Sequence, residues 1–384
     1  MAIVDSFPPP PVSSIDWTNT QSLEFHEGKW TPPKFVTNPY LRIHGMAPSL
    51  NYGQQALEGF KAFRTPDGIS LFRPDRNAAR LQHSAEVLSM PPVPTNLFLQ
   101  SCRAAVALNA GFMPPHESGG ALYVRPLQFG ISAMLPPSIA DDYMFCVFVA
   151  PAPAGVHDGT QPIRALILDE FDRAAPRGTG HAKVGGNYAP VLRWGRQARS
   201  DGFGITLHLD SERQEYVTEF STCAFIGVKG SDADDGEVML VVPESSCVID
   251  SVTSSSLQQI GRSYGWKVEK RRISFSELPT FDEVLGAGTG VAVTPIRSIT
   301  RRRLTRQLSP GPRVVVEKES ETINYIPDGQ QSGGPVFQKL LTRLKAIQLG
   351  KTPDEFSWRF EVRAEDLEVE GENTQTNGLH LART

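Results

Sequence analysis

The stretch HAKVGGNYAP, residues 181–190, holds the residues best suited to chemistry. Lys183 precedes two glycines, and Tyr188 follows the lysine by five residues. A lysine amine titrates near 10.4 in water, so it forms a Schiff base only when partly desolvated or set near other cations. Gly185 and Gly186 let a bulky ligand lie against bare backbone, and the Tyr188 hydroxyl can hydrogen-bond to the same ligand. A glycine-rich surface turn would read the same way, and the stretch alone does not choose between them.

Four other segments carry suitable groups. Glu219, in VTEFST, ends a strand-like run, with Thr222 three residues on. A carboxylate there could keep a ring nitrogen protonated; an ordinary strand-end acid is the alternative. Arg80, one turn from Arg76 in DRNAARLQHSAEVLSM, can offer a bidentate guanidinium to a phosphate or simply face solvent. SVTSSSL, residues 251–257, is a hydroxyl-rich turn opening a helix, where backbone N–H groups bind anions or are merely capped. GAGTGVAVTP, residues 286–295, sets Thr289 between glycines, as a tight turn or as a backbone nest for an anion.

The elements that must position these residues alternate along the chain. HEGKW reads as a hairpin turn, GISLFRP as a strand, and DRNAARLQHSAEVLSM as a helix with Leu81, Ala85 and Leu88 in register, stopped by Pro91 and Pro92. LYVRPLQFGIS and DYMFCVFVAPA are β-rich in composition. Beyond a proline- and glycine-rich break, IRALILDEF, GITLHLD, EYVTEFSTCAFIGV and WKVEKRRI read as strands, with VKGSDADDGEVML a strand–turn–strand around an acidic loop. APVLRWGRQARSDG, SSSLQQIGRSYG and FQKLLTRLKAIQL read as helices, the last amphipathic through Leu340, Leu341, Leu344 and Ile347. The pattern predicts an α+β or mixed α/β chain in two domains, without a repeated βαβ rhythm. The expected boundaries are a disordered proline-rich segment over 1–18, a small α/β domain over 19–150, a linker over 151–162, a larger domain over 163–363 and a polar tail over 364–384.

Composition narrows the function. With 40% hydrophobic and 21% charged residues and a net charge of −4, the chain reads as globular and offers no electrostatic footprint for nucleic acid or membrane. RRISF and SITRRRLTRQ are basic, but they lie among polar residues and read as solvated faces. Four cysteines, at 102, 146, 223 and 247, form no CxxC pair, so reduced thiols and no metal site are expected. No basic, apolar leader and no 20-residue apolar run of about membrane-spanning length is seen, and the cytoplasm is the expected location.

In order along the chain, NYGQQALEGFKAFRTPDG, LFRPDRNAARLQHSAEVLSMP, YVRPLQFG, KVGGNY, EYVTE, GWKVEKRRI and GTGVAVTPIR resemble the branched-chain amino acid aminotransferases. The resemblance runs from about residue 20 to about residue 360 and implies a two-domain, fold type IV enzyme using pyridoxal 5′-phosphate (PLP). It implies Lys183 as the Schiff-base and proton-transfer residue, Arg80 on the phosphate, Tyr188 on the ring's phenolic oxygen and Glu219 facing the pyridine nitrogen. It places Val252 and Thr253 in the phosphate turn, completed by Thr289. Thr222 and Gly290 fall near the substrate carboxylate, and Tyr52, Tyr123 and Arg125 along the side-chain pocket. It further implies amino acid and 2-oxo acid substrates, 2-oxoglutarate as acceptor, a ping-pong cycle and a homodimer.

Departures from the family pattern fall mostly on the pocket. Leu57 stands where phenylalanine usually precedes the glutamate of the FEG motif, and the linker offers His157 in place of an aromatic. Ser251 and Ser254 replace the usual glycine and arginine of the phosphate turn, and no CxxC follows Thr289. A wider pocket is therefore expected, kept apolar by Tyr52, Phe60 and Tyr123 and without a new cation for an acidic side chain. The alternatives are a D-amino acid aminotransferase, an aminodeoxychorismate lyase-like enzyme or an inactive homologue that only binds. YVRP and the long carboxy-terminal half oppose the first two. Retention of Arg80, Lys183, Tyr188 and Glu219 opposes the third.

Overall fold

A computed structural model of the chain describes residues 20–36, 39–152, 160–231, 237–307 and 314–367. The proline-rich start, His157 with most of the linker, the acidic loop after residue 231 and the tail from residue 368 lie outside the described residues. Contacts divide the chain into two units, residues 1–152 with 359–384, and residues 153–358.

The first unit begins with β1 (Thr20–His26), β2 (Lys29–Trp30) and β3 (Lys34–Val36). It continues through α1 (Pro48–Tyr52), β4 (Gln55–Leu57), β5 (Phe60–Thr65), β6 (Gly68–Phe72), α2 (Pro74–Val87) and α3 (Thr95–Leu108) to β7 (Ala121–Gly130) and β8 (Tyr143–Ala152). These strands pair antiparallel in the order β6-β5-β7-β8-β1-β2, with β3 beside β1 and β4 beside β7. HEGKW makes the β1–β2 turn, with positive φ at Glu27 and Gly28. Side chains alternate across a strand, so β7 has two faces. Leu122, Val124, Pro126 and Gln128 are buried, whereas Tyr123, Arg125 and Leu127 are exposed or half-buried. Helix α3 packs on the buried face, its Phe98 ring 6.2 Å from that of Phe60 and 5.8 Å from that of Phe145.

The second unit comprises β9 (Ile163–Ile167), α4 (Leu192–Ser200), β10 (Ile205–Leu209), β11 (Val217–Phe220), β12 (Ala224–Lys229), β13 (Met239–Pro243), α5 (Val252–Ser263), β14 (Lys267–Arg271), β15 (Glu283–Gly288), β16 (Ala292–Gln307), β17 (Val314–Asn324) and α6 (Pro335–Gln348). Its sheet runs β11-β10-β9-β16-β15-β12-β13-β14, with β17 beside β16. Strand β9 lies parallel to β10 and β16, and β13 parallel to β14; the other pairs are antiparallel. The result is mixed α+β. Leu207, Phe220, Phe225, Phe281 and Ile296 share its core. Leu340, Leu341, Leu344 and Ile347 form the buried stripe of α6. A last strand, β18 (Arg359–Val362), pairs antiparallel with β6 in the first sheet, although these residues fall in the span the sequence assigns to the larger domain. No helix among the described residues is long and apolar enough to cross a membrane.

Candidate active site

The loop between β9 and α4 ends in two 3-10 turns, Gly185–Asn187 and Ala189–Val191. Lys183 enters the first of them between buried Ala182 and Val184. The turns fold Tyr188 back, so that Lys183 Nζ lies 2.7 Å from the Tyr188 hydroxyl oxygen. Asn187 fastens the loop, its Nδ2 donating to the carbonyls of Thr179 at 2.7 Å and Ala182 at 3.0 Å. A Cβ on Gly180 would lie 2.8 Å from the Cys247 carbonyl and 2.3 Å from Ala174 Cβ, so only glycine lets this loop rest against the segment around Cys247.

Glu219 is buried on β11. Its Oε1 lies 2.6 Å from Arg173 Nη1, and both side chains are over nine-tenths buried. The Ile249 amide donates to the same oxygen at 3.4 Å, and Arg173 Nη1 also donates to the Cys247 carbonyl at 3.3 Å. Burial pushes the neighbouring Cys223 thiol up to about 12, with the Glu219 charge adding to the effect, so it stays protonated at neutral pH. Burial, then the Arg173 charge, pushes His208 on β10 down to about 3, so this imidazole is neutral.

Val252 and Thr253 open α5, and Ser251 is its N-cap, accepting from the Ser254 amide at 3.2 Å. The Ser251 hydroxyl also lies 3.5 Å from the Ala287 carbonyl at the end of β15. A Cβ on Gly288 would meet Cys223 Cβ at 3.0 Å and the Thr222 carbonyl at 3.4 Å. The Thr222 turn, the start of α5 and the turn carrying Thr289 and Gly290 are therefore contiguous. The segment from Cys247 to Ser251 borders all three groups: the lysine loop, Glu219 and the helix start.

Arg80, Tyr52, Leu57, Tyr123 and Arg125 belong to the first unit. Arg80 Nε and Nη2 bond to the two carboxylate oxygens of Glu58 at 2.6 and 2.8 Å. Glu58 is fully buried and also accepts from Asn77 Nδ2 at 2.7 Å. The guanidinium is thus held by a bidentate pair. Leu57 lies opposite Leu127, Lys61 opposite Tyr123 and Phe148 opposite Arg125, so these six share the sheet face away from α3. A Cβ on Gly59 would lie 2.2 Å from the Tyr123 hydroxyl, so that hydroxyl rests on bare backbone. Tyr52 donates to the Leu135 carbonyl. Arg173, Glu58, Asn77 and Lys61 are absent from the sequence-derived set. Their partners lie on other elements, and only the ALEGF block marks one of them in advance.

The amino-transferase class IV family model matches residues 56–299. The chain belongs to the class IV aminotransferases. This aminotransferase is 48% identical over 371 residues to "Aminotransferase poxL" of Penicillium oxalicum, covering 93% of this chain and 96% of the relative. It is 43% identical over 371 residues to "Branched-chain amino acid aminotransferase gloG" of Glarea lozoyensis, covering 93% and 98%. Among solved structures it resembles the T.th. branched-chain amino acid aminotransferase complexed with N-(5′-phosphopyridoxyl)-L-glutamate. There the TM-score is 0.66 at 24% identity, over 89% of this chain and 98% of the other, which shows the fold.

Class IV aminotransferases use PLP. The second unit fits that group chemically. It presents an amine beside a phenol, a buried carboxylate, and the amide-rich start of a helix twelve residues long.

Proposed function

We propose that this aminotransferase moves the amino group between a branched-chain or other apolar L-amino acid and 2-oxoglutarate in a ping-pong cycle. The observation that carries the reading is the 2.7 Å approach of Lys183 Nζ to the Tyr188 hydroxyl, in a unit that also buries Glu219. When bound, PLP supplies the electron sink that acidifies an amino acid's Cα proton. Lys183 Nζ takes that proton and returns it, as general base and then general acid. The Tyr188 hydroxyl orients the amine, and the Glu219 carboxylate favours positive charge at the ring nitrogen. The amides of Val252 and Thr253 and the Thr289 turn suit phosphate oxygens. Arg80, on the first unit, has by itself the donor chemistry for a phosphate. Thr222 and Gly290 suit the substrate carboxylate.

The face bearing Leu57, Leu127 and Phe148 suits aliphatic side chains, with Tyr52 as a further contributor. Phe60, expected from the sequence to keep the pocket apolar, instead pairs with buried Val124 and packs on Phe98 of α3, on the opposite face of the sheet. Arg125 and Lys61, on either side of Tyr123, suit the second carboxylate of the acceptor; the L-glutamate moiety in the T.th. enzyme complex is in keeping with this. The enzyme is proposed to act in the cytoplasm as a homodimer. Large exposed apolar residues on the first unit, Leu50, Tyr52, Leu135 and Ile139, support an interface there.

The test is a panel of amino donors with 2-oxoglutarate. Leucine, isoleucine and larger apolar donors should turn over, and strict selectivity for valine would remove the wide-pocket reading. Lys183→Ala should lose transamination together with the borohydride-fixed PLP label. Retained turnover would overturn Lys183 as the proton carrier.

A further inference from the structure

Arg173 lies ten residues before Lys183 and touches two other parts of the second unit. One nitrogen, Nη1, lies 2.6 Å from Glu219 Oε1 and 3.3 Å from the Cys247 carbonyl. The arginine side chain is 4% exposed and the glutamate side chain 7%. Burying two charges is costly unless their geometry and hydrogen bonds compensate, so such a pair is by itself weak evidence for a purely stabilising role. Around it, the Ile249 amide adds a donor to Oε1, and neutral His208 adds no second cation. Cys223, a protonated thiol at neutral pH, adds no second anion.

We infer that Arg173 is a positioning residue for the cofactor's ring nitrogen, acting through Glu219. This rests on the proposal that Glu219 faces that nitrogen. A carboxylate on a two-torsion stem can rotate away from its target. Anchoring Oε1 by a buried guanidinium and a backbone amide fixes the plane in which the rest of the carboxylate meets the ring. The same guanidinium grips the Cys247 carbonyl, against which Gly180 packs, so Glu219 is held in register with the loop that carries Lys183. The acid facing the nitrogen and the amine acting at Cα are set by one side chain. Arg173 itself need not touch substrate or cofactor.

The test uses the full-length apoprotein and two ligands: PLP, and its deaza analogue with carbon in place of the ring nitrogen. Equilibrium binding is measured for wild type, Arg173→Gln, Arg173→Lys and Glu219→Gln. Wild type should prefer PLP over the deaza analogue. Arg173→Gln should weaken PLP by roughly tenfold or more while changing the analogue little, because only PLP uses the positioned carboxylate. Arg173→Lys keeps the charge without the fork and should restore part of the preference, which also serves if the glutamine variant folds poorly. Adding Arg173→Gln to Glu219→Gln should cost no further preference. Equal losses for both ligands would make Arg173 a loop support only and overturn the inference, as would a full preference in both Arg173 variants. A wild type that binds both ligands equally would remove Glu219 from the ring nitrogen, and the inference with it. Preference in wild type that persists without Arg173 would overturn the inference alone.

Discussion

Leu57 is half-buried on β4, directly across from Leu127 on β7, and it stands one residue before Glu58, the carboxylate that holds Arg80. A change at Leu57 therefore alters the apolar face and leaves the Glu58–Arg80 pair in place. Leu57→Phe adds bulk on that face, and one methylene in such a pocket is worth about 1–3 kcal/mol of discrimination. The variant should lose kcat/KM for the largest apolar donors by roughly tenfold while keeping valine and isoleucine and an unchanged PLP spectrum. A donor panel checks this, and an untouched profile would show that Leu57 does not line the pocket. Residues were legible in the sequence where their partners are close along the chain. Lys183 and Tyr188 are five apart, and two tight turns are enough to join them. Arg173 meets Glu219 only because β11 and the loop after β9 are brought together by the sheet, and no local spacing announces that pair.

Elements in the second unit are tied by carboxylates that reach across long sequence separations. Glu283, at the start of β15, accepts from the Val336 amide at 2.9 Å and the Phe337 amide at 3.0 Å, so it caps α6. Glycine at the N-cap, Gly334, has no side chain to do so. Glu283→Ala should cost about 2 kcal/mol, seen as a lower denaturant midpoint with an unchanged slope. Glu277 joins β12 to β14, receiving Lys229 at 2.9 Å and the Arg271 fork at 2.6 and 2.8 Å. The Arg271 guanidinium, assisted by Lys229, holds its carboxyl down to about 2, below the ordinary 4.5. A depressed folded value means that this contribution is complete above about pH 4.5 and is lost as pH falls toward 2. Glu277→Gln should therefore melt lower than wild type at pH 7, by roughly 1 kcal/mol given its partial exposure, and the gap should close on acidification. Melting curves at several pH values check the sign. The amphipathic stripe of α6 could be read from spacing, but its cap could not. Nor is α3 among the elements expected from sequence. Its many small residues weaken the apolar signal, although Phe98, Cys102, Ala105 and Val106 are all buried.

At the scale of the whole molecule, the first unit leaves several large apolar side chains in solvent. Leu50 is 61% exposed, Leu135 64% and Ile139 60%, and the Tyr52 hydroxyl ties the helix bearing Leu50 to the loop bearing the other two. Scattered apolar residues are normal on a surface, but two linked segments of them fit a contact that is buried in an assembly. Neither segment is among the elements the sequence marks, because a five-residue helix and an irregular loop are too short or too aperiodic to show a pattern. If a second copy covers them, wild type should sediment at no less than twice the 42.1 kDa chain mass. A paired Leu50→Asp and Leu135→Asp change places charges where the contact must dehydrate, each costing several kcal/mol unless paired. The double variant should run as a monomer at micromolar concentration with native circular dichroism, since both side chains are already exposed and support no core. A wild-type protein that is fully active as a 42.1 kDa monomer would overturn the dimer, and a double variant that stays dimeric would move the interface elsewhere.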